Sequence, residues 1–234
     1  MLAVSRTNST VELAMLEHAI RDDLNQRAPR AMAVLDPLKV VVDNYPAGQV
    51  EEFPVKTYPQ DKTNAETRFV PFSREIYIER SDFMEDPPRK YYRMAPGKEV
   101  RLMGAYYVTC TEAEKDDEGK IVEIRCKYDP ESRGGSTEDG RKVRGTIHWV
   151  SAEHAIDAEL RLYSTLFAQA EPEAVEEGQT FIDNLNPESL VVLKHCKLEP
   201  NLTDAIPGQP YQFMRQGYFV IDSEDSTSDQ MVFN

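Results

Sequence analysis

The run Arg21-Asp22-Asp23-Leu24-Asn25-Gln26-Arg27-Ala28-Pro29-Arg30-Ala31-Met32-Ala33-Val34 leaves the chain little choice of local path. Pro29 pushes Ala28 out of helical angles, so a helix arriving from upstream must finish by about Arg27. That helix is expected over residues 9–26. Ser9-Thr10-Val11-Glu12 fits a capping box, in which the Ser9 hydroxyl and the Glu12 carboxylate satisfy backbone donors reciprocally. Leu13, Leu16, Ile20 and Leu24 then recur at helical spacing. Arg30 is left at a fixed junction, where its planar five-donor guanidinium can read a base, clamp a phosphate or pair with the neighbouring acids.

Beyond Ala31 the patterning is that of strands. Leu38–Val42 is a short β-branched run closed by Asn44-Tyr45-Pro46-Ala47-Gly48, and Arg74–Arg80 reads as a second strand. Val122, Ile124, Cys126 and Tyr128 alternate with charged residues, as on a strand buried on one face. Tyr106–Thr111 supplies its partner and Asp116-Asp117-Glu118-Gly119 the turn between them. Strands are also expected at Thr146–Val150, Leu190–Leu193 and Gly217–Ile221, and a short helix around Ala155–Leu166. Fifteen prolines punctuate these runs. The fold class predicted is mainly β, with two packed barrels after an N-terminal helical piece.

Composition excludes several classes of function. Three cysteines without a CxxC pair argue against a disulfide framework or zinc site and for a reducing cytoplasm. No apolar run approaches membrane-spanning length, so no membrane partner is expected. Net charge −14 argues against general nucleic-acid affinity. The charge is unevenly spread, however. Arg89, Lys90, Arg93, Lys98 and Arg101 face only Glu99 in their stretch. At a Debye length of about 8 Å, remote acids barely weaken such a patch.

No catalytic constellation is present: no Gly-rich phosphate loop, no nucleophile elbow, no cysteine with an evident histidine partner. His148 and His154 lack a third ligand, and His195 and Cys196 point to opposite faces if they share a strand. What remains is a recognition surface. Pro87–Arg101 interleaves aromatics with cations, the chemistry by which unpaired RNA bases are stacked and read. Gln212-Phe213-Met214-Arg215 repeats it, with an amide and a guanidinium able to address one base edge.

Several islands closely resemble the C-terminal anticodon-binding region of glutaminyl-tRNA synthetases. They are Arg30–Pro37, Val70–Ile78, Gly97–Leu102, Asp139–Ser151 and Asn186–Leu190, in family order over essentially the whole chain. The resemblance implies a helical connector at 1–28 and two antiparallel β-barrels of the ribosomal protein L25-like type over 29–234. Roughly 46–145 would form the distal barrel, and 29–45 plus 146–234 the proximal one.

It further implies that Arg30, Gln212 and Arg215 hold the central uridine of a glutamine tRNA anticodon. Arg93 would hold the third base, and Arg101 would lie near the first. Asn25, Gln60 and Lys90 fall where family members touch the anticodon stem-loop, and Glu12 where they touch the inner corner of the tRNA. Tyr92 stands where lysine is common and replaces a charge by stacking; Met103 stands where a second arginine is common.

The ATP signatures of class I synthetases are absent, so the chain reads as a fragment without catalytic residues. Its parent would attach glutamine to tRNA using ATP and magnesium. Its expected partners are the tRNA anticodon loop and the catalytic half of the same polypeptide, not DNA. A eukaryotic-type glutamyl-tRNA synthetase and a stand-alone RNA-binding β-barrel protein are the alternatives.

Overall fold

The computed structural model describes residues 13–227 and 230–234. The capping box at Ser9–Glu12, and with it Glu12 as a tRNA contact, lies outside the described residues. Helix α1 spans Leu13–Arg27 and ends where Pro29 requires, its last turn closed by the Ala28 amide on the Leu24 carbonyl. No helix among the described residues is long and apolar enough to cross a membrane.

The strands follow in chain order. The first are β1 (Arg30–Ala31), β2 (Ala33–Val34), β3 (Pro37–Val42), β4 (Glu51–Lys56), β5 (Thr67–Phe72) and β6 (Glu75–Glu79). Next come β7 (Glu99–Leu102), β8 (Tyr107–Lys115), β9 (Ile121–Asp129), β10 (Thr146–Ile147) and β11 (Val150–Ser151). Last are β12 (Ile156–Tyr163), β13 (Leu190–Leu198), β14 (Pro210–Phe213), β15 (Gly217–Val220) and β16 (Met231–Phe233).

A seven-stranded sheet runs in the order β10-β7-β8-β9-β3-β6-β11. Its two edge strands, β10 and β11, are separated in the chain by only His148 and Trp149. Two residues cannot bridge a flat sheet of that width, so the sheet curls until its edges nearly meet. At this seam Trp149 is fully buried and donates Nε1–H to the Met103 carbonyl at 3.0 Å. The stretch expected as one strand at Thr146–Val150 is therefore two short pairings with different partners, parallel to β7 and antiparallel to β6. Within the curl, Tyr45, Phe53, Phe72, Tyr106 and Trp149 meet edge to face, with ring centroids 5.0–6.0 Å apart for the pairs made with Phe72. Such contacts contribute about 0.5–1.5 kcal/mol each beyond area burial.

A second core gathers Ala158, Leu160, Cys196, Leu198, Phe213, Phe219 and Phe233 under the sheets β16-β12-β13-β2 and β1-β14-β15. The stretch Ala31–Val34 serves both cores, because successive side chains point to opposite faces. Ala31 and Ala33 enter the second core, Met32 and Val34 the first. Strand β3 and the pair β10 and β11 belong to the seven-stranded sheet together with strands drawn from 46–145.

The short helix expected around Ala155–Leu166 is instead strand β12, paired with β13 over its whole length. Ile156, Ala158, Leu160 and Leu162 recur with period two, and the long apolar ladder of β13 outweighs the modest helix propensity of the run. Pairing is mostly antiparallel, but β1 with β14, β3 with β9, β7 with β10 and β12 with β16 are parallel.

Candidate nucleic-acid interface

Arg30 opens β1 directly after the helix stop, with its amide bonded to the Thr57 carbonyl at 2.8 Å. Parallel pairing of β1 with β14 sets Arg30 beside Gln212 in register, and Gln212 in turn faces Tyr218 on β15. Arg30 as a residue is only 9% exposed. Its Nη2 donates to Asn25 Oδ1 on α1 at 2.7 Å, while Nη1 is buried without a partner. Gln212 Oε1 is buried and unpartnered too. A stranded donor and a stranded acceptor thus stand on adjacent strands. Native structures rarely leave such groups unpaired away from ligand sites.

Burial depresses the Arg30 pKa below its ordinary value, partly opposed by Tyr218. A cleft of about 530 Å³ opens beside them between α1 and the β14–β15 hairpin, lined by Ile20, Arg21, Leu24, Gln212, Arg215 and Tyr218. Gln60 reaches the same corner, donating to the Gln26 carbonyl at 3.1 Å.

Arg215 lies in the turn after β14 with φ 69°, the one non-glycine residue with positive φ among the described residues. Its two terminal nitrogens grip Asp82 as a fork, at 2.6 and 2.7 Å. Asp82 ends a single 3-10 turn after β6 and is fully buried. The hydrogen bonds to it raise the Arg215 pKa above the ordinary value. The same carboxylate meets Arg93 Nε at 3.2 Å, and Arg93 Nη1 donates to the Ser81 carbonyl. Arg93 otherwise remains open to solvent.

Arg93 also borders a second, smaller cleft of about 250 Å³ with Arg89, Tyr92, Lys98 and Arg144. Tyr92 is 50% exposed, with the Arg144 guanidinium 5.4 Å from its ring centroid and donating to its hydroxyl at 3.2 Å. Arg101 lies over the Tyr107 ring and donates to that hydroxyl at 3.1 Å, leaving Nε buried and unpartnered.

Asn25, Arg30, Gln60, Gln212 and Arg215 therefore gather at one corner, and Asp82 links that corner to Arg93 and Tyr92. Arg101 stands one strand further on, and Lys90 is exposed and lines neither cleft. Sequence reasoning missed Asp82, Tyr218 and Arg144. Arg144 had a signal in the basic run Arg141-Lys142-Val143-Arg144. Asp82 and Tyr218 had none. His148 is a packed core histidine whose Nδ1 lies 3.4 Å from Arg215 Nη1. His195 is exposed while Cys196 is buried, as opposite faces of β13 require.

Cations, an exposed tyrosine ring and stranded hydrogen-bonding groups thus gather on a curled β scaffold, and comparison with known families places the chain in a class. Residues 28–129 and 146–222 match two models of the tRNA synthetases class I (E and Q) anticodon-binding domain, and the chain belongs to this family. More particularly, its whole length is 50% identical to a glutamine–tRNA ligase of Clostridium kluyveri and 51% identical to one of Pseudomonas putida. It is 52% identical to a glutamine–tRNA ligase of Stutzerimonas stutzeri. The chain spans only 41% to 42% of the length of these relatives.

Proposed function

We propose that this chain reads the anticodon loop of a glutamine tRNA as the C-terminal part of a glutamine–tRNA ligase. The observation that carries the reading is that the Arg30 Nη1 donor and the Gln212 Oε1 acceptor stand on adjacent strands in register, both buried and both without a partner. A uracil edge offers a carbonyl acceptor beside an N3–H donor, which complements that pair. Asn25 and Gln60 buttress the corner and would touch the stem-loop, as would Lys90. Arg93 addresses the third anticodon base over the Tyr92 platform, and Arg101 lies toward the first.

The remainder of the parent would activate glutamine with ATP and magnesium, in the cytoplasm. This chain has neither ATP signature, and its role is recognition alone.

Labelled anticodon stem-loops carrying each base at each position test this reading. Arg30→Ala and Gln212→Ala should each lower the preference for a central uridine, with a strongly non-additive double variant because both address one base. Each well-formed pair to a base edge contributes about 1–3 kcal/mol of discrimination. A wild-type chain that binds all anticodons equally refutes the proposal, and a preference confined to glutamate anticodons at the third base reassigns the amino acid.

A further inference from the structure

Asp82 is the polar group least expected at this surface. It is an acid, fully buried, at the centre of a site meant for a polyanion. Neither of its oxygens is idle: the Arg215 fork takes both, and Arg93 Nε approaches Oδ1 at 3.2 Å. Its backbone is engaged as well, since the Met94 amide donates to the Asp82 carbonyl at 2.9 Å and so tethers the residue next to Arg93.

One carboxylate thus holds two guanidinium groups from distant parts of the chain side by side. Alone, those cations would repel each other across a partly desolvated gap. With Asp82 between them the trio keeps a net positive charge, available to RNA. The two-point grip also fixes the plane of the Arg215 guanidinium. It does so at a residue whose backbone is left-handed, a conformation that persists only where surroundings over-determine it.

We infer that Asp82 is a positioning residue that couples recognition at two neighbouring anticodon bases, acting through Arg215 on the central base and Arg93 on the third. This rests on the anticodon-reading proposal above and adds to it a shared anchor: the two pockets are aimed together, not independently. His148 completes the arrangement on the other side of Arg215. Because a guanidinium can only donate, His148 Nδ1 accepts from Arg215 Nη1 at 3.4 Å.

The test is Asp82→Asn in the full 234-residue chain, read as ratios of stem-loop affinities. An amide presents one acceptor where two guanidiniums need two, and turns an N–H₂ toward one of them. The preference for the cognate base should fall about fivefold or more at both the central and third positions, the lower end of what one base-edge pair supplies. Loss of folded protein alone would weaken every stem-loop by the same factor and leave these ratios unmoved. Ratios unchanged at both positions, or changed at only one, overturn the inference.

The two proposals fail separately. If the wild-type chain shows no preference, anticodon reading itself is wrong. If it discriminates and Asp82→Asn discriminates equally, only the shared anchor is wrong. Should Asp82→Asn not fold, Arg93→Ala on the exposed side of the anchor carries the test. It should alter the central-base preference at least twofold, although Arg93 is assigned to the third base. A change confined to the third base refutes the coupling.

Discussion

Removing the Glu199 carboxylate should destabilise the chain more than any ordinary surface change, because this group joins the two cores. Glu199 is fully buried. One oxygen accepts the Met32 amide at 2.8 Å and Arg68 Nη2 at 3.0 Å, and the other receives Arg68 Nε. Arg68 lies on β5, Met32 between the cores and Glu199 just after β13, so a single carboxylate ties three elements together.

Glu199→Ala leaves a guanidinium with 10% of its side chain exposed and a fully buried amide without their acceptor. Breaking a buried pair from one side costs about 3–5 kcal/mol. The stranded amide accounts for about 1–3 kcal/mol. The two penalties arise in one cavity and do not add, so we expect about 3–5 kcal/mol in all. For a domain of this size that lowers Tm by about 6–20 °C, at 2–4 °C per kcal/mol. Arg68→Met combined with Glu199→Leu removes both charges, so only the Met32 amide remains unsatisfied, and Tm should recover part of the loss. Circular dichroism melts of wild type, single and double variants at one ionic strength make the comparison. A Glu199→Ala melt within about 1 °C of wild type, or a double variant less stable than the single, refutes this account of the junction.

Two further outcomes are expected. Gly145→Ala drives a Cβ into the Tyr92 carbonyl oxygen, so the two segments must part; about 1–3 kcal/mol should be lost in urea unfolding, together with third-base preference. Asp222, held near a pKa of about 2 by the Asp225 amide, the Asn234 side chain and the Glu224 amide, anchors the C-terminal strand. Its folded pKa lies below the unfolded value of about 3.9, so its contribution is present above that pH and lost as pH falls toward 2. Asp222→Asn should flatten Tm against pH in that window, and an unchanged slope assigns the acid loss elsewhere.

Local rules made much of the fold legible. Pro29 ends α1, the β-branched run makes β3, and the Asp116–Gly119 turn joins β8 to β9, with Asp116 accepting the Glu118 and Lys120 amides. The alternation in β9 is buried only at Ile124 and Cys126, because Val122 near the strand's start is exposed. Where tertiary pairing decides, local reading falls short. Strand β12 is held by β13, and the hairpin β4–β5 hides behind Pro54 and Pro71, which it tolerates because its ladder has no third strand. The juxtaposition of Arg30 and Gln212 is a product of register between strands far apart in the chain, which no window of residues reveals.

The same limit explains how an acidic chain can present a basic site. Three arginines away from the interface are heavily compensated: Arg141 meets Glu99, Asp129 and Asp139, Arg125 meets Asp43, Glu114 and Glu123, and Arg161 meets Glu159, Asp222 and Asp225. At the interface the ratio inverts. Arg93 and Arg215 share one carboxylate, while Arg30, Arg101 and Arg144 make no ion pair among the described residues. Exposed compensated pairs contribute little to stability, so their chief effect is to neutralise cations that would otherwise attract any phosphate backbone. At the interface, uncompensated positive charge lies beside stranded hydrogen-bonding groups and the exposed Tyr92 ring, so affinity and selectivity can arise at the same few residues.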